Sequence, residues 1–235
     1  MDKYLSVITN FGCHYTCPYC IVKNNHLNIP KTTVDGLKEL PKVYAENGCN
    51  WISVSGSGDP LWNYKEHFIW WWKFWTKLPA GAKTELHTSI FPNQDGGVAD
   101  TSIVPNSNGG VADALRYGGF DRVVYHAHTI DDLKKAKRFG EDQIVRVVYV
   151  VDQNFTEEMI SEIADICQKS EEIDELSFRQ MVDDHYQATD YCQDFLRQGH
   201  KKRWWYIEQC DYNLYYCENK VYDEYRKIGE SDDLG

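Results

Sequence analysis

The sequence predicts an α/β fold built on a parallel sheet, and three observations support this. Strand-like apolar runs alternate with helical segments along the 235 residues, which is the order of parallel sheets with right-handed crossovers. Several runs are nearly continuous β-branched and aromatic residues, as expected for parallel strands covered on both faces. Six such units are too few to close an eight-stranded barrel. We therefore expect an open, partial barrel.

The individual elements follow from local patterns. Six strands are predicted, at 4–9, 51–55, 84–89, 121–127, 143–151 and 175–181. Six helices are predicted, at 33–47, 64–77, 110–117, 130–139, 156–169 and 187–198. Pro41 should kink or split the first helix. The fifth is the clearest, because Thr156 stands where an N-cap would and apolar residues from Met159 to Cys167 share one face.

The second predicted helix, YKEHFIWWWKFWTKL, is aromatic on almost every side. A helix packed between the sheet and a neighbouring element would explain this composition. A subunit interface, and hence a homodimer, would explain it as well. Both interpretations stay open at this point.

An internal repeat occupies residues 88–113. TSIFPNQDGGVAD is followed at once by TSIVPNSNGGVAD, with ten of thirteen positions identical. Two copies are too few for a solenoid, so a tandem duplication within one connection is favoured. The segment follows the third strand, where parallel barrels build their sites. It is either a lid over the site or an inert lengthened loop.

The C-terminal segment RWWYIEQCDYNLYYCENKVYDEYR indicates strands around a Glu218-Asn219 turn. We expect a small β-hairpin extension beside the barrel. The domain prediction is accordingly a partial-barrel domain over 1–199 and a β extension over 200–235.

Composition limits the partners and the compartment. The formal net charge is −11, which repels phosphate backbones and disfavours long nucleic acid, although Lys201-Lys202-Arg203 could grip one phosphate. No run of about 18 uncharged apolar residues is present, so no membrane span is expected. The N-terminus enters a strand-like pattern without a charged leader. A cytoplasmic protein is expected, with cysteines as metal thiolates or packing residues rather than disulfides.

Three cysteines stand together in GCHYTCPYCIVKN, directly after the first strand. Cys13, Cys17 and Cys20 can converge from one loop onto one metal centre. A structural zinc site has four ligands, and neither His14 nor His26 stands at a sequence spacing typical of zinc ribbons or fingers. An iron–sulfur cube is usually held by four thiolates, so three would leave one iron open to a substrate. Core cysteines, zinc and a purely redox cluster are the alternatives.

The stretch Cys13-HYT-Cys17-PY-Cys20 resembles the CxxxCxΦC loop of the radical S-adenosylmethionine (SAM) superfamily, with Tyr19 at the aromatic position. That family places this loop after the first strand of a partial (βα)6 TIM-like barrel. It also carries a Gly-Gly-Glu-Pro-like turn after the second strand. Here SGSGDPL follows the second predicted strand, with Gly56, Gly58 and Pro60 in place. Ser57 between the glycines and Asp59 in place of the usual glutamate are departures from that pattern.

The resemblance implies a cofactor set and a reaction. Cys13, Cys17 and Cys20 would hold a [4Fe–4S] cluster whose fourth iron binds SAM. One electron would cleave SAM to methionine and a 5′-deoxyadenosyl radical, which abstracts hydrogen from a substrate. Tyr19 would lie near the adenine, and the Gly56, Ser57, Gly58, Asp59 and Pro60 turn near the methionine amino group. An electron donor such as flavodoxin or ferredoxin would be a partner.

Polar residues at the carboxyl ends of the later strands complete the candidate site. They are Ser89, His126, His128, Arg146, Arg179 and Gln180. Ser102 in the second repeat copy could replace Ser89. An arginine in an apolar strand needs an anion, which could be a carboxylate of SAM or substrate, or of a protein residue such as Asp152 or Asp183. For His128 a structural, hydrogen-bonded role is favoured over ligand binding.

The remaining cysteines suggest packing or a second cluster. Cys49 and Cys167 have the apolar surroundings of packing residues. Cys192, Cys210 and Cys217 resemble the auxiliary-cluster extensions of some radical SAM enzymes, although dense CxxC pairs are missing.

The predicted function is therefore SAM cleavage at an iron–sulfur cluster, followed by hydrogen abstraction. A small-molecule substrate, such as a nucleotide- or pterin-like metabolite, is favoured because the chain barely exceeds the barrel core. A peptide or protein substrate, as for maturases and glycyl-radical activases, is the alternative. Nucleic acid comes third on charge grounds. The alternative of another class is a non-catalytic zinc or electron-transfer iron–sulfur module.

Overall fold

The computed structural model describes residues 2–92, 117–199, 204–208 and 213–228. Its strands, in chain order, are β1 Tyr4–Gly12, β2 Trp51–Gly58, β3 Lys83–Thr88, β4 Arg122–His126, β5 Ile144–Val151, β6 Glu175–Gln180, β7 Asn213–Cys217 and β8 Lys220–Tyr222. They form one sheet in the order β6-β5-β4-β3-β2-β1-β7-β8. All neighbours pair parallel except β7 and β8, which are antiparallel. The α/β class and all six predicted strands are confirmed.

Five α-helices lie among the described residues. They are α1 Ile21–Asn24, α2 Leu40–Glu46, α3 Phe68–Lys77, α4 Glu157–Lys169 and α5 Gln193–Gln198. Short 3-10 turns occupy Gly36–Lys38, Ile130–Lys135 and Tyr225–Ile228. Helix α4 begins as predicted, because the Met159 amide donates to the Thr156 hydroxyl at 3.3 Å. None of the described helices has the length and apolar character needed to cross a membrane.

The predicted split of the first helix is confirmed, and two other helix predictions need correction. The 33–47 segment divides into Gly36–Lys38 and α2, and Pro41 lies in the first turn of α2, where no N–H is needed. The 130–139 helix is wrong, because only a 3-10 turn forms and Ala136 is already extended. The 187–198 helix begins only at residue 193, after a left-handed Cys192. The predicted 110–117 helix lies outside the described residues except for its last position.

The two faces of the sheet differ in polarity, so the expectation of strands covered on both faces is only half right. Strand residues such as Leu86, Val123 and Val147 join the main core with the buried side chains of α3 and α4. Their alternate neighbours are polar: Glu85 lies beside Leu86 and Arg122 beside Val123. Because successive side chains point to opposite faces, the helices cover one face and polar groups line the other.

Helix α3 buries one side and exposes the other. Trp70, Trp71 and Phe74 are buried in the core, as the packed-helix interpretation predicts. Phe68, Ile69 and Trp72 remain 60%, 68% and 57% exposed. Nothing in the described residues covers this outer side, and the interface interpretation stays a prediction.

The predicted C-terminal hairpin is confirmed. Glu218 and Asn219 connect β7 to β8 with φ of 47° and 70°, which is the left-handed pair that two-residue hairpin turns require. The hairpin does not stand apart, because β7 pairs parallel with β1 from Tyr4–Asn213 to Val7–Tyr216. It therefore extends the main sheet. Residues 93–113 of the predicted repeat, with Ser102, lie outside the described residues, as do Lys201-Lys202-Arg203 and Cys210.

Candidate metal and cofactor site

One cavity gathers the residues that the sequence singled out. Its volume is about 1340 Å³, and it runs from the carboxyl ends of the strands onto the polar face of the sheet. All of the predicted metal and cofactor residues line it: Cys13, Cys17, Tyr19, Cys20, Gly56, Ser57, Gly58, Asp59, Pro60, Ser89, His128, Arg146 and Arg179. The carboxyl ends of parallel strands share one edge, which explains this convergence.

The cysteine loop presents its thiols to this cavity. Cys13 is exposed, and Cys17 and Cys20 are half-buried. A turn closed by the Cys20 amide on the Cys17 carbonyl at 3.2 Å brings two of the thiols back together. Helix α1 follows immediately, with Cys20 as its N-cap residue.

The thiols influence each other electrostatically. Burial, reinforced by Cys13 and Cys20, raises the pKa of Cys17 to about 11. Burial is also the main cause that raises the pKa of Cys13, to which Cys20 contributes. Without a cation Cys13 and Cys17 are therefore neutral thiols at pH 7. A bound cation would stabilise the thiolates, because metal ligands must be deprotonated.

Aromatic residues between the cysteines fasten the loop to the strand ends. His14 stacks on Trp62, which follows β2, with ring centroids 5.8 Å apart. Tyr15 stacks on His128, which follows β4, at 3.9 Å. The Tyr19 hydroxyl lies 2.5 Å from His128 Nδ1. The loop is therefore held at both sides of the cavity before any ligand binds.

His128 has one nitrogen that the described residues leave unsatisfied. Its Nδ1 contacts the Tyr19 hydroxyl, as its structural interpretation expected, but its buried Nε2 has no hydrogen-bond partner. Burial lowers the pKa of this imidazole, so it is neutral at pH 7. A buried polar atom without a partner is costly, and a ligand in the cavity could satisfy it.

The glycines at the carboxyl end of β2 are required by close packing against β1. A Cβ on Gly56 would stand 2.1 Å from the Thr9 carbonyl oxygen, and one on Gly58 would stand 2.2 Å from that of Gly12. Both glycines also have positive φ, 156° and 104°. No other residue fits either position. Ser57 between them is half-buried and lines the cavity.

Asp59 is a structural carboxylate. It is 2% exposed and accepts from the Leu61 amide, the Thr88 hydroxyl, and both the amide and hydroxyl of Ser89, at 2.6–3.0 Å. Its side chain ties the turn after β2 to the end of β3. Ser89 therefore contacts Asp59 through its hydroxyl.

The anion that accompanies Arg146 is Glu175, which was not among the predicted partners. Arg146 Nε donates to Glu175 Oε2 at 2.6 Å, and its guanidinium covers the Trp204 ring at 4.1 Å. Asp152 and Asp183 instead accept hydrogen bonds from their own loops. The protein ion-pair alternative is confirmed for Arg146. Arg179 lines the same cavity, and its charge adds to the burial that lowers the pKa of His126.

Sequence reasoning missed two residues on the cavity floor. Glu85 and His87 alternate with Leu86 on β3, and His87 connects Glu85 to His126, with contacts of 2.8 and 3.0 Å. The two-residue period of TELHT was the available signal.

The other cysteines in the described part of the chain have different surroundings. Cys49 and Cys167 are buried in the main core, as predicted. Cys192 donates to the Phe155 carbonyl, whereas Cys217 belongs to a second apolar cluster and donates to Pro30. A second cluster stays a prediction.

The thiols of the cysteine loop are donors of the type that both zinc and iron–sulfur clusters use. Within the described residues, no three His, Cys, Asp or Glu side chains stand close enough to hold one metal ion. A four-iron cluster is larger, and its thiolates bind different iron atoms. Three coupled thiols on one cavity wall are soft donors of the kind that such clusters use.

Comparisons with known proteins give no family. No protein-family model matches this chain, and a search of curated proteins found no match.

Proposed function

We propose that this protein is a radical SAM enzyme that acts on a small molecule and has a partial (βα)6 TIM-like barrel. The observation that carries the proposal is that Cys13, Cys17 and Cys20 line the same cavity as the turn from Gly56 to Pro60. A zinc or electron-transfer module needs the thiols but has no need of the turn.

The chain's own residues have defined tasks in this proposal. The three cysteines would hold the [4Fe–4S] cluster, which when bound supplies the electron that cleaves SAM to methionine and a 5′-deoxyadenosyl radical. The Asp59 carboxylate already accepts from Leu61, Thr88 and Ser89. The main chain of the turn, rather than this side chain, would therefore contact the SAM amino group. The unsatisfied Nε2 of His128 would bind the ligand beside Tyr19.

The size and lining of the cavity favour a small-molecule substrate. Single-ligand pockets are usually about 300–1,000 Å³, and this cavity has about 1340 Å³. It has room for SAM and a second molecule of nucleotide or pterin size. A peptide or protein substrate is the alternative. The proposal also includes a cytoplasmic location, an electron donor such as flavodoxin or ferredoxin, and a homodimer through α3.

Iron binding and SAM cleavage test the proposal. Anaerobically reconstituted protein should bind about four irons per chain and release 5′-deoxyadenosine from SAM with dithionite. Cys17→Ala should lose both, because only two thiols remain in the loop. Cys49→Ala is the matched control, since this thiol is buried before β2, away from the cavity. A Cys17→Ala variant that cleaves SAM at the wild-type rate contradicts the proposal.

Metal analysis separates the rival class. A zinc module would carry about one zinc per chain, and an electron-transfer module would bind iron without cleaving SAM. Deuterium transfer from candidate substrates into 5′-deoxyadenosine then identifies the substrate class. A label that appears only from a protein partner would favour the peptide or protein alternative.

A further inference from the structure

The turn from Gly56 to Pro60 presents one polar side chain to the cavity that has no hydrogen-bond partner among the described residues. A Cβ on Gly56 or Gly58 would lie only 2.1–2.2 Å from the main chain of β1, so neither position can carry a side chain. Pro60 has no polar side-chain atom, and the Asp59 carboxylate is 2% exposed and already accepts hydrogen bonds. This leaves the hydroxyl of Ser57, which is half-buried and lines the cavity.

Strand pairing explains why Ser57 is reached from the cavity. β2 pairs with β3 only as far as Val54 and Leu86, whereas its pairing with β1 continues to Gly58 and Gly12. The last four residues of β2 therefore pair with a strand on one side only, and all four line the cavity.

The charge of Asp59 decides which ligand group suits this hydroxyl. Its hydrogen-bond donors are neutral amides and hydroxyls, and no Lys, Arg or His in the described part of the chain forms an ion pair with it. Burial lowers the pKa of His128, and the charges of Asp132 and Asp59 oppose this shift. The negative potential of Asp59 therefore extends into the cavity, where it repels a carboxylate and attracts a cation.

An ammonium group matches both features of the turn. It has three N–H donors and no acceptor, and the hydroxyl oxygen of Ser57 can accept from it. A hydrogen bond to a charged group is also stronger than one between neutral groups. The turn thus combines an attractive potential with an acceptor that the fold does not use.

We propose that Ser57 is a binding residue for a primary ammonium group, and that its hydroxyl accepts a hydrogen bond from the methionine amino group of SAM. Asp59 attracts the same group through space without touching it. The identity of the ligand rests on the proposed function. The two departures from the Gly-Gly-Glu-Pro pattern then belong together, because the fold uses the carboxylate of Asp59 and Ser57 supplies the side-chain acceptor.

Two ligands that differ by one group test this contact. S-Adenosylhomocysteine carries the ammonium group, and its analogue with hydrogen in place of the amino group does not. Isothermal titration calorimetry on anaerobically reconstituted protein measures affinity for each, independently of turnover. Ser57→Ala should weaken the binding of S-adenosylhomocysteine about tenfold or more. Its affinity for the deaminated analogue should equal that of the wild type.

A distant serine provides the control. Ser161 is exposed on α4, donates to the Glu157 carbonyl and does not line the cavity, so Ser161→Ala should leave both affinities unchanged. Urea unfolding without ligand checks that Ser57→Ala keeps the wild-type fold.

The outcomes separate this inference from the proposed function. A Ser57→Ala variant with wild-type affinity for S-adenosylhomocysteine overturns the inference, because the main chain alone would then bind the amino group. An equal loss for both ligands also overturns it, because Ser57 would then only shape the turn. Reconstituted wild-type protein that binds iron but neither ligand would instead overturn the proposed function, and this inference with it.

Discussion

A substitution at Asp59 distinguishes two roles of this residue. If its side chain only binds the SAM amino group, the substitution leaves the stability of the protein without SAM unchanged, whereas a structural carboxylate contributes to that stability. The turn resembles one whose acidic side chain binds the SAM amino group. In the structure, the Asp59 carboxylate already accepts hydrogen bonds from Leu61, Thr88 and Ser89. Asp59→Asn keeps the side-chain size and changes one oxygen to an amide nitrogen.

The expected loss can be worked out contact by contact. Asparagine Oδ1 keeps the Leu61 amide at 2.9 Å and the Thr88 hydroxyl at 2.8 Å. Its nitrogen faces the Ser89 amide and hydroxyl, which donate to Asp59 Oδ2 at 2.6 and 2.9 Å. The hydroxyl can rotate and accept, but the Ser89 N–H cannot. A buried donor without a partner costs about 1–3 kcal/mol, and hydrogen bonds to a charged acceptor exceed neutral ones. We expect a loss of about 2–3 kcal/mol in the free energy of unfolding.

Urea unfolding of chelator-treated protein measures this loss in the absence of cluster and SAM. The midpoint should fall with an unchanged m-value. Ser57→Ala is the matched control, because Ser57 lies in the same turn, is half-buried, and makes no side-chain hydrogen bond among the described residues. Its effect should stay within about 0.5 kcal/mol. An Asp59→Asn variant as stable as the Ser57→Ala variant would show that the structural role is wrong.

Two further changes test the packing and the charge network. Gly58→Ala places a Cβ 2.2 Å from the Gly12 carbonyl oxygen at a φ of +104°, so the free energy of unfolding should fall by well above about 2 kcal/mol. Gly81→Ala, at a φ of +76° in open space, is the control and should cost only about 1–2 kcal/mol. Equal losses of the two variants in thermal unfolding would contradict the close-approach argument. Glu85→Gln should cost about 3–5 kcal/mol at neutral pH, because Arg122 and Arg146 lose a buried partner. Because folding lowers the pKa of Glu85, its contribution to the free energy of unfolding is complete above the unfolded pKa and declines below about pH 4. The difference in stability between wild type and Glu85→Gln in urea unfolding should therefore narrow below that pH. A difference that stays constant into acid would refute the ion-pair role.

The strands and the cysteine site were predictable because their signals are local. The apolar runs set the six strands, and the cysteine loop follows β1 directly. Since parallel strands end at one edge, residues as distant in sequence as Cys13, Asp59 and His128 could be expected to share a site.

The polar face and several helices were not predictable in this way. The run at 143–151 is nearly continuously apolar around Arg146, and the partner of this arginine, Glu175, is brought into reach only by the pairing with β6. Such ion pairs depend on strand register, which a single sequence does not show. The segment at 130–139 has helical spacing, but the Thr129–Asp132 capping box closes only a 3-10 turn. The ion pair therefore depends on long-range strand pairing and the 3-10 turn on local capping, and sequence periodicity predicts neither.

The position of β7 beside β1 has a consequence for how the chain folds during synthesis. Asn213 donates to Ser6 at 3.0 Å across 207 positions, so one side of β1 stays unpaired until β7 has left the ribosome. A strand with an open edge can recruit other chains, and such non-local pairing forms slowly. The segment that carries the three thiols thus emerges well before β7, the strand that pairs with β1. We expect chains truncated before residue 213 to aggregate, even though they contain every cysteine of the loop.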